Sequence, residues 1–539
     1  MPVSIAKSRI ALALAVIAFQ AQGAPAPSVG AAAAPTTPPA PTTPDALAKP
    51  PAPAKLPAKV PVKQPVSYPF TFDTLLEDAK RRAGTPYAPQ RNSLPAALDK
   101  LSPEQYRSIH FNPDAGIWRS EKLPFRLELL RAAYNMPTAV TVSTMEDGLA
   151  TDVVATPAMF QISGATAQLA KVSLPLSGFR IRSHINSNKV WDEFLVFQGA
   201  SYFRAVAKNL LYGLSARGLV VNTGDPTGEE FPAFTHFWIE RPGARANAII
   251  IYALLESQST TGAFKFTVQP GAETQIEVEL TLFPRAEMRV VGIAPLTSMF
   301  LFDETNRGHL DDYRPEVHDS DGLQIATKSG EQLFRPLANP LKLQVSTFTT
   351  QVPEGFGLVQ RSRQQSDFQD FDAQYERRPS AWITPRGDWG SGAVELVEIP
   401  SGRETNDNIV VFWRPTQTFT PAHPAQFAYN ITWSSEPPLP KGLGKVLATR
   451  SGASIDRKRR VFLLDIVGAG EKLDGLRLDL GASAGAISNA SLVSNGELHG
   501  LRASFEIDPK DADLIELRLR VMRGDTPVTE TWLYRWTSS

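Results

Sequence analysis

Cysteine is absent from the 539 residues. That excludes disulfide frameworks, thiolate metal sites and cysteine nucleophiles, and leaves packing alone to hold the fold. An excess of either charge is absent too: 55 basic and 55 acidic residues give a formal net charge of zero. Nucleic acid or an anionic membrane surface would demand a basic excess, so a neutral polymer suits this chain better. After the first two dozen residues no stretch is apolar enough to span a bilayer, and the longer apolar runs, such as 248–255, are strand-sized. Gly-x-Ser-x-Gly, a glycine-rich phosphate loop and His-Glu-x-x-His are all missing. The seven histidines (His110, His184, His236, His309, His318, His423 and His499) are scattered, with no pair at metal-ligand spacing on one element. No metal, nucleotide or other cofactor is expected.

What is present begins with an export signal. Lys7 and Arg9 precede an apolar run at 10–19 and the small-x-small sequence Ala21-Gln22-Gly23, the pattern of a secretory signal peptide over 1–23. Residues 24–69 hold 14 prolines, four lysines and a single acid, Asp45, and read as an extended, disordered tether. Asp73 is expected to cap a helix whose Phe72, Leu75, Leu76, Ala79 and Ala83 follow helical spacing up to Gly84. Ser102-Pro103-Glu104-Gln105 is a capping box with proline in the first turn. Both helices are expected to pack against a sheet.

After Trp118 the pattern changes to strand-length runs separated by turn residues, ten of them before residue 300, among them 125–130, 179–181, 249–255 and 275–283. Without one long helical pattern among them, the architecture is all-β, and so many strands favour a large two-sheet sandwich over a small barrel. A proline and glycine break at 437–444 separates a large domain, 70–436, from 445–539. Six runs there, from 460–467 to 529–536, match an immunoglobulin-like sandwich without its disulfide.

Three loops concentrate polar chemistry. Between the alternating runs 394–399 and 409–413, which read as neighbouring strands, Glu404, Asn406, Asp407 and Asn408 crowd into five residues. An Asx turn explains part of this, since such side chains shape their own backbone. The loop 303–322 contains Tyr313-Arg-Pro-Glu316 and His318-Asp-Ser-Asp-Gly322; Asp321-Gly322 has hairpin-turn chemistry, and the stretch lacks the further acids of a calcium loop. A third segment, 367–389, mixes Asp370, Asp372, Tyr375, Glu376, Arg377, Arg378, Trp382 and Trp389. Rings beside carboxylates and arginines are what a carbohydrate site needs: the rings cover the apolar sugar face and the ions satisfy its hydroxyls. Glycoside cleavage would add one carboxylic acid to protonate the leaving oxygen and one carboxylate to activate water or attack carbon. Composition and spacing do not single out two such groups from 55 acids.

A resemblance does. Gly199-Ala-Ser-Tyr-Phe-Arg204, Tyr212-Gly-Leu-Ser-Ala-Arg-Gly218, Gly228-Glu-Glu-Phe-Pro232, Phe237-Trp-Ile-Glu-Arg-Pro242, Tyr313-Arg-Pro-Glu316, His318-Asp-Ser320, Arg378-Pro-Ser-Ala-Trp382 and Glu404-Thr-Asn-Asp-Asn408 resemble the periplasmic glucan biosynthesis proteins G and D of Gram-negative bacteria, from about residue 70 to the C-terminus. The resemblance implies a mutarotase-like β-sandwich followed by an immunoglobulin-like domain, in a periplasmic protein that serves the synthesis of osmoregulated glucans. It implies inverting hydrolase or transglycosylase chemistry on a β-1,2-glucan backbone, with Asp407 as general acid and Asp319 as base. Glu404, His318, Tyr313, Arg314, Tyr375 and Trp382 are expected to line the cleft. The implied partners are β-1,2-glucan and an inner-membrane glucan synthase, and a homodimer is compatible with the family. Lys7-Ser8-Arg9 is no twin-arginine signal, which favours the G type; the proline-rich spacer departs from the family pattern. The alternative reading is a non-catalytic glucan-binding protein that assists export or branching of nascent polymer.

Overall fold

The computed structural model describes residues 65–538 apart from 90–93, 133–135, 137, 173, 309, 351 and 440–441. The expected signal peptide and most of the expected tether lie outside the described residues.

The β-branched runs become strands of two large sheets. One, of sixteen strands, starts at the edge strand Ser67–Pro69 and passes through Ala233–Glu240, Ile249–Glu256, Thr260–Gln269 and Thr274–Pro284. It continues across Ala425–Ser434 and Ser380–Arg386 to Gly322–Ala326 and Gln332–Pro336. The other, of ten strands, runs from Gln344–Thr350 through Gly392–Glu398, Ile409–Pro415, Val291–Ser298, Ser215–Arg217 and Tyr202–Ala205 to Arg126–Arg131. Neighbouring strands pair mostly antiparallel, and 394–399 and 409–413 are indeed partners, in register Val394 to Trp413 and Leu396 to Val411. The fold is all-β.

Alternation puts every second side chain of each sheet into the gap between them, and phenylalanines fill it. The Phe197 ring of the ten-stranded sheet lies 5.4 Å from Phe237 and 5.2 Å from Phe266 of the other, and Phe203 lies 5.3 Å from Phe266. Each such ring contributes about 1.5–3 kcal/mol by burial and about 0.5–1.5 kcal/mol more per ring pair. This seam sets how far apart the sheets stand.

The helix Phe72–Ala83 covers the outer face of the sixteen-stranded sheet, with Leu75 and Ala79 buried against Met145, Trp238, Tyr252 and Leu254. Its cap is Thr71, not Asp73: Thr71 is extended, its hydroxyl accepts from the Thr74 backbone, and Asp73 falls in the first turn, where a carboxylate suits the helix dipole. The second capping box forms as expected on the helix Pro103–Ser108, but none of that helix is buried. It attaches instead through Tyr106, whose ring lies 3.9 Å from the Arg131 guanidinium carbon. Among the described residues no helix is long and apolar enough to cross a membrane.

The C-terminal strands enclose a second apolar core around Phe462, Phe505, Trp532 and Tyr534. Lys445–Ala453, Arg460–Val467, Gly500–Asp508 and Ala486–Asn495 form one layer. Leu476–Ala482, Leu514–Arg523 and Thr531–Thr537 form the other, and this layer is continuous with the sixteen-stranded sheet, because Leu333 and Phe334 pair in parallel with Thr531 and Trp532. A buried ion pair, Arg361 with Glu530 at 2.6 Å, reinforces the junction.

Candidate active site

Phe300 is the residue that brings the acid-rich loops together. Strand Ile409–Pro415 pairs with Val291–Ser298 so that Ser298 faces Ile409, and the chain after Ser298 runs on beside the loop that precedes Ile409. There the buried Asn408 side chain accepts from Phe300 N and donates to Phe300 O, both at 2.9 Å, and donates to Ile399 O at 3.1 Å. On its other side Phe300 pairs with His318, and Asp319 N donates to Met299 O at 2.8 Å. Asp407, next to Asn408, and Asp319, next to His318, thus flank one short strand from opposite sides.

Each of these carboxyls has an arginine. Arg204 Nη2 lies 3.5 Å from Asp407 Oδ2, and Arg378 Nε lies 3.5 Å from Asp319 Oδ1. Arg204 comes from strand Tyr202–Ala205 of the ten-stranded sheet and is steadied by Ser215 Oγ at 2.5 Å, while Asp407 lies in the loop before strand Ile409–Pro415. Arg378 leads into strand Ser380–Arg386 of the sixteen-stranded sheet and donates to Ala373 O at 2.9 Å. Gly213 makes room for it, since a Cβ there would meet the Arg378 Cβ at 2.9 Å. Burial pushes the Asp319 carboxyl up from its ordinary pKa, opposed by Arg378 and Arg204 and assisted by the charge of Asp407. Neither Asp407 nor Asp319 accepts a side-chain hydrogen bond from any described residue, and none joins the two.

The acids around them are differently placed. Arg314 knots the three loops: it donates to Asp312 Oδ2 at 2.7 Å and to Asp370 Oδ2 at 2.9 Å, and pairs with Glu404 Oε2 at 2.7 Å. Those three carboxylates raise the guanidinium pKa further, Asp312 most of all, against a contribution from burial that lowers it. The Tyr375 hydroxyl donates to Glu404 at 3.4 Å, and burial followed by the charges of Asp319 and Glu404 raises its pKa. Tyr313, beside the clamp, is 75% exposed.

Two residues expected in the cleft are buried. Trp382 lies in a central strand, with its indole filling the space where a Cβ of Gly355 would sit. His318 is 0% exposed and packed between Phe300 and Phe368. Burial alone would lower its pKa, but Asp321, Glu316 and Asp303 more than offset that and push it up to about 9. The imidazolium donates from Nδ1 to Gln360 Oε1 at 3.1 Å and from Nε2 to Glu316 Oε2 at 3.0 Å. Glu316, His318 and Asp321 bring ligand-type atoms within 4.8 Å of one another, a grouping that no sequence spacing announced, with His318 itself as the cation between two carboxylates. Asp321-Gly322 is not a hairpin turn: Asp321 accepts from Ser362 N at 3.0 Å, and Gly322 opens a central strand where the Phe334 ring takes the space of a Cβ.

Sequence reasoning gave Arg204 no role and counted Arg378 only among the ions of the 367–389 segment. A usable signal existed at Arg204, a charged residue between Phe203 and Ala205 in a strand buried on both faces.

A family model described as periplasmic glucan biosynthesis protein, MdoG, matches residues 70–536. Glucans biosynthesis protein G 1 of Shewanella oneidensis is 46% identical over 473 residues, 87% of this chain and 87% of that protein. Glucans biosynthesis protein G of Shewanella sp. strain MR-7 matches at the same identity and coverage, and that of Shewanella baltica strain OS155 at 45% over 473 residues.

Proposed function

The chain belongs to the periplasmic glucan biosynthesis protein family, and from that premise we propose that it works on the glucan itself. In this reading the protein acts in the periplasm, receives nascent polymer from an inner-membrane glucan synthase, and cleaves or transfers its β-1,2-linked backbone with inversion. Asp407 protonates the leaving oxygen, and Asp319 takes a proton from the attacking water or sugar hydroxyl.

The observation that carries this reading is the contrast among the acids. Asp312, Asp370 and Glu404 are consumed by Arg314, and Glu316 and Asp321 by His318 and the backbone around Ser362. Among the described residues Asp407 and Asp319 accept no side-chain hydrogen bond, and each has an arginine 3.5 Å away. The two carboxyls stand on opposite sides of the Phe300 strand, and an inverting pair needs a gap of roughly 6.5–9.5 Å for an intervening nucleophile. A base whose pKa is raised by burial accepts a proton more readily, provided neighbouring cations keep it ionised at the working pH. Asp319 with Arg378 and Arg204 has that balance.

The test is incubation of the purified protein with linear β-1,2-glucan and mass analysis of the products. Shortened or rearranged chains are expected, and the kind of product separates hydrolysis from transfer. Unchanged glucan that nevertheless binds, detected by calorimetry, would overturn the enzymatic reading in favour of a binding protein.

A further inference from the structure

Two aromatic rings beside the site are left uncovered. Phe371 is 77% exposed and Tyr313 75%. A single exposed ring is ordinary for a protein surface, but these two are the chain neighbours of the two ends of one ion pair, Arg314 and Asp370 at 2.9 Å. Neither rides on a loose loop. The Tyr313 turn is closed by Arg314 N donating to Asp312 Oδ1 at 3.0 Å. The Phe371 turn is closed by Asp370 Oδ1, which accepts from Asp372 N at 3.0 Å and Ala373 N at 2.8 Å. Gln374 Nε2 also donates to Phe371 O at 3.2 Å. The backbone therefore holds both rings out into solvent from a rigid base. That base is continuous with the reacting loop, because Arg314 also grips Glu404, three residues before Asp407.

We propose that Phe371 and Tyr313 form an aromatic platform that stacks on glucose rings of the polymer away from the bond being broken, and that this platform sets a preference for long over short glucan. The inference rests on the reading that this site takes a β-glucan. Glucose presents an apolar face of axial C–H groups, which an aromatic face covers at little entropic cost when the ring is already braced. Arg314 offsets only one of the three carboxylates it holds, so the ground under the platform stays acidic, which repels an anionic chain and suits an uncharged one. Because stacking there is equal in ground and transition states, its loss raises KM and leaves kcat unchanged.

The experiment compares wild type, Phe371→Ala, Tyr313→Ala and Phe371→Trp by calorimetry and turnover on short and long linear β-1,2-glucans, with melting temperatures as the control for folding. Each alanine variant is expected to bind long glucan roughly two- to tenfold more weakly; for Phe371→Ala, KM rises by the same factor with kcat kept and short glucan little affected. Phe371→Trp restores binding. Unaltered binding of long glucan by Phe371→Ala, while wild type binds it, overturns the platform and leaves the glucan reading standing. Wild type that binds no glucan of any length overturns that reading, and the platform with it.

Discussion

Arg204 Nη2 stands 3.5 Å from Asp407 Oδ2, tying a strand of the ten-stranded sheet to the loop that leads into another of its strands, Ile409–Pro415. The matching pair, Arg378 and Asp319, lies in the segments that lead into two strands of the sixteen-stranded sheet, Ser380–Arg386 and Gly322–Ala326. Each carboxyl thus carries its own cation, and Phe300, paired with His318 and braced by Asn408, stands between the two segments that bear them.

The first prediction concerns Arg378. Burial raises the Asp319 pKa and Arg378 counters it, so Arg378→Met lifts it further. If Asp319 must be ionised to act as base, the acidic limb of the kcat/KM profile moves to higher pH in this variant, and activity at high pH is largely retained. An unshifted limb separates Asp319 from the proton transfer.

Arg314→Ala removes the clamp shared by three loops and leaves Asp312 and Asp370 without their cation. The expected loss of stability is roughly 3 kcal/mol, the cost of breaking a desolvated pair from one side. Arg314→Lys does not rescue it, because an ammonium cannot supply the forked geometry. Denaturant unfolding of the three proteins checks this, and full rescue by lysine would count against the clamp.

His318 supplies a pH signature of stability. Its pKa in the fold is about 9 against an unfolded value near 6.5, so its contribution is fully present below pH 6.5 and is lost as pH rises through about 9. The melting temperature should fall across that window by an amount equivalent to about 3 kcal/mol at most. Glu316→Gln removes one source of the shift and should flatten the fall. A wild-type curve that is flat from pH 6.5 to 9 would contradict a buried imidazolium.

Periodicity was enough to read most strands, because alternation against a core is a local pattern. The acid-rich loop at 404–408 was also visible, but not how its members divide. Asn408 looks like one more polar group in the run, and it is a buried brace on Phe300, 108 residues away in the chain. Glu404 looks like a sugar ligand, and Arg314 holds it. His318 and Trp382 read as cleft residues because their neighbours are polar, and partners distant in sequence bury both. The direction a side chain takes at a strand end is fixed by pairing register, which a single sequence does not display. The pairing of Arg204 and Arg378 with their carboxylates was hidden for a like reason: the partners lie on segments distant in the chain.

The most direct measurement is turnover of linear β-1,2-glucan by Asp407→Asn and Asp319→Asn beside wild type, with glucan binding followed by calorimetry. Asparagine keeps the shape and removes the proton chemistry. The account predicts that each variant loses at least about 100-fold in kcat while still binding glucan, and that the double variant is little worse than either single one. Wild-type turnover in either variant would contradict a reaction carried by this pair.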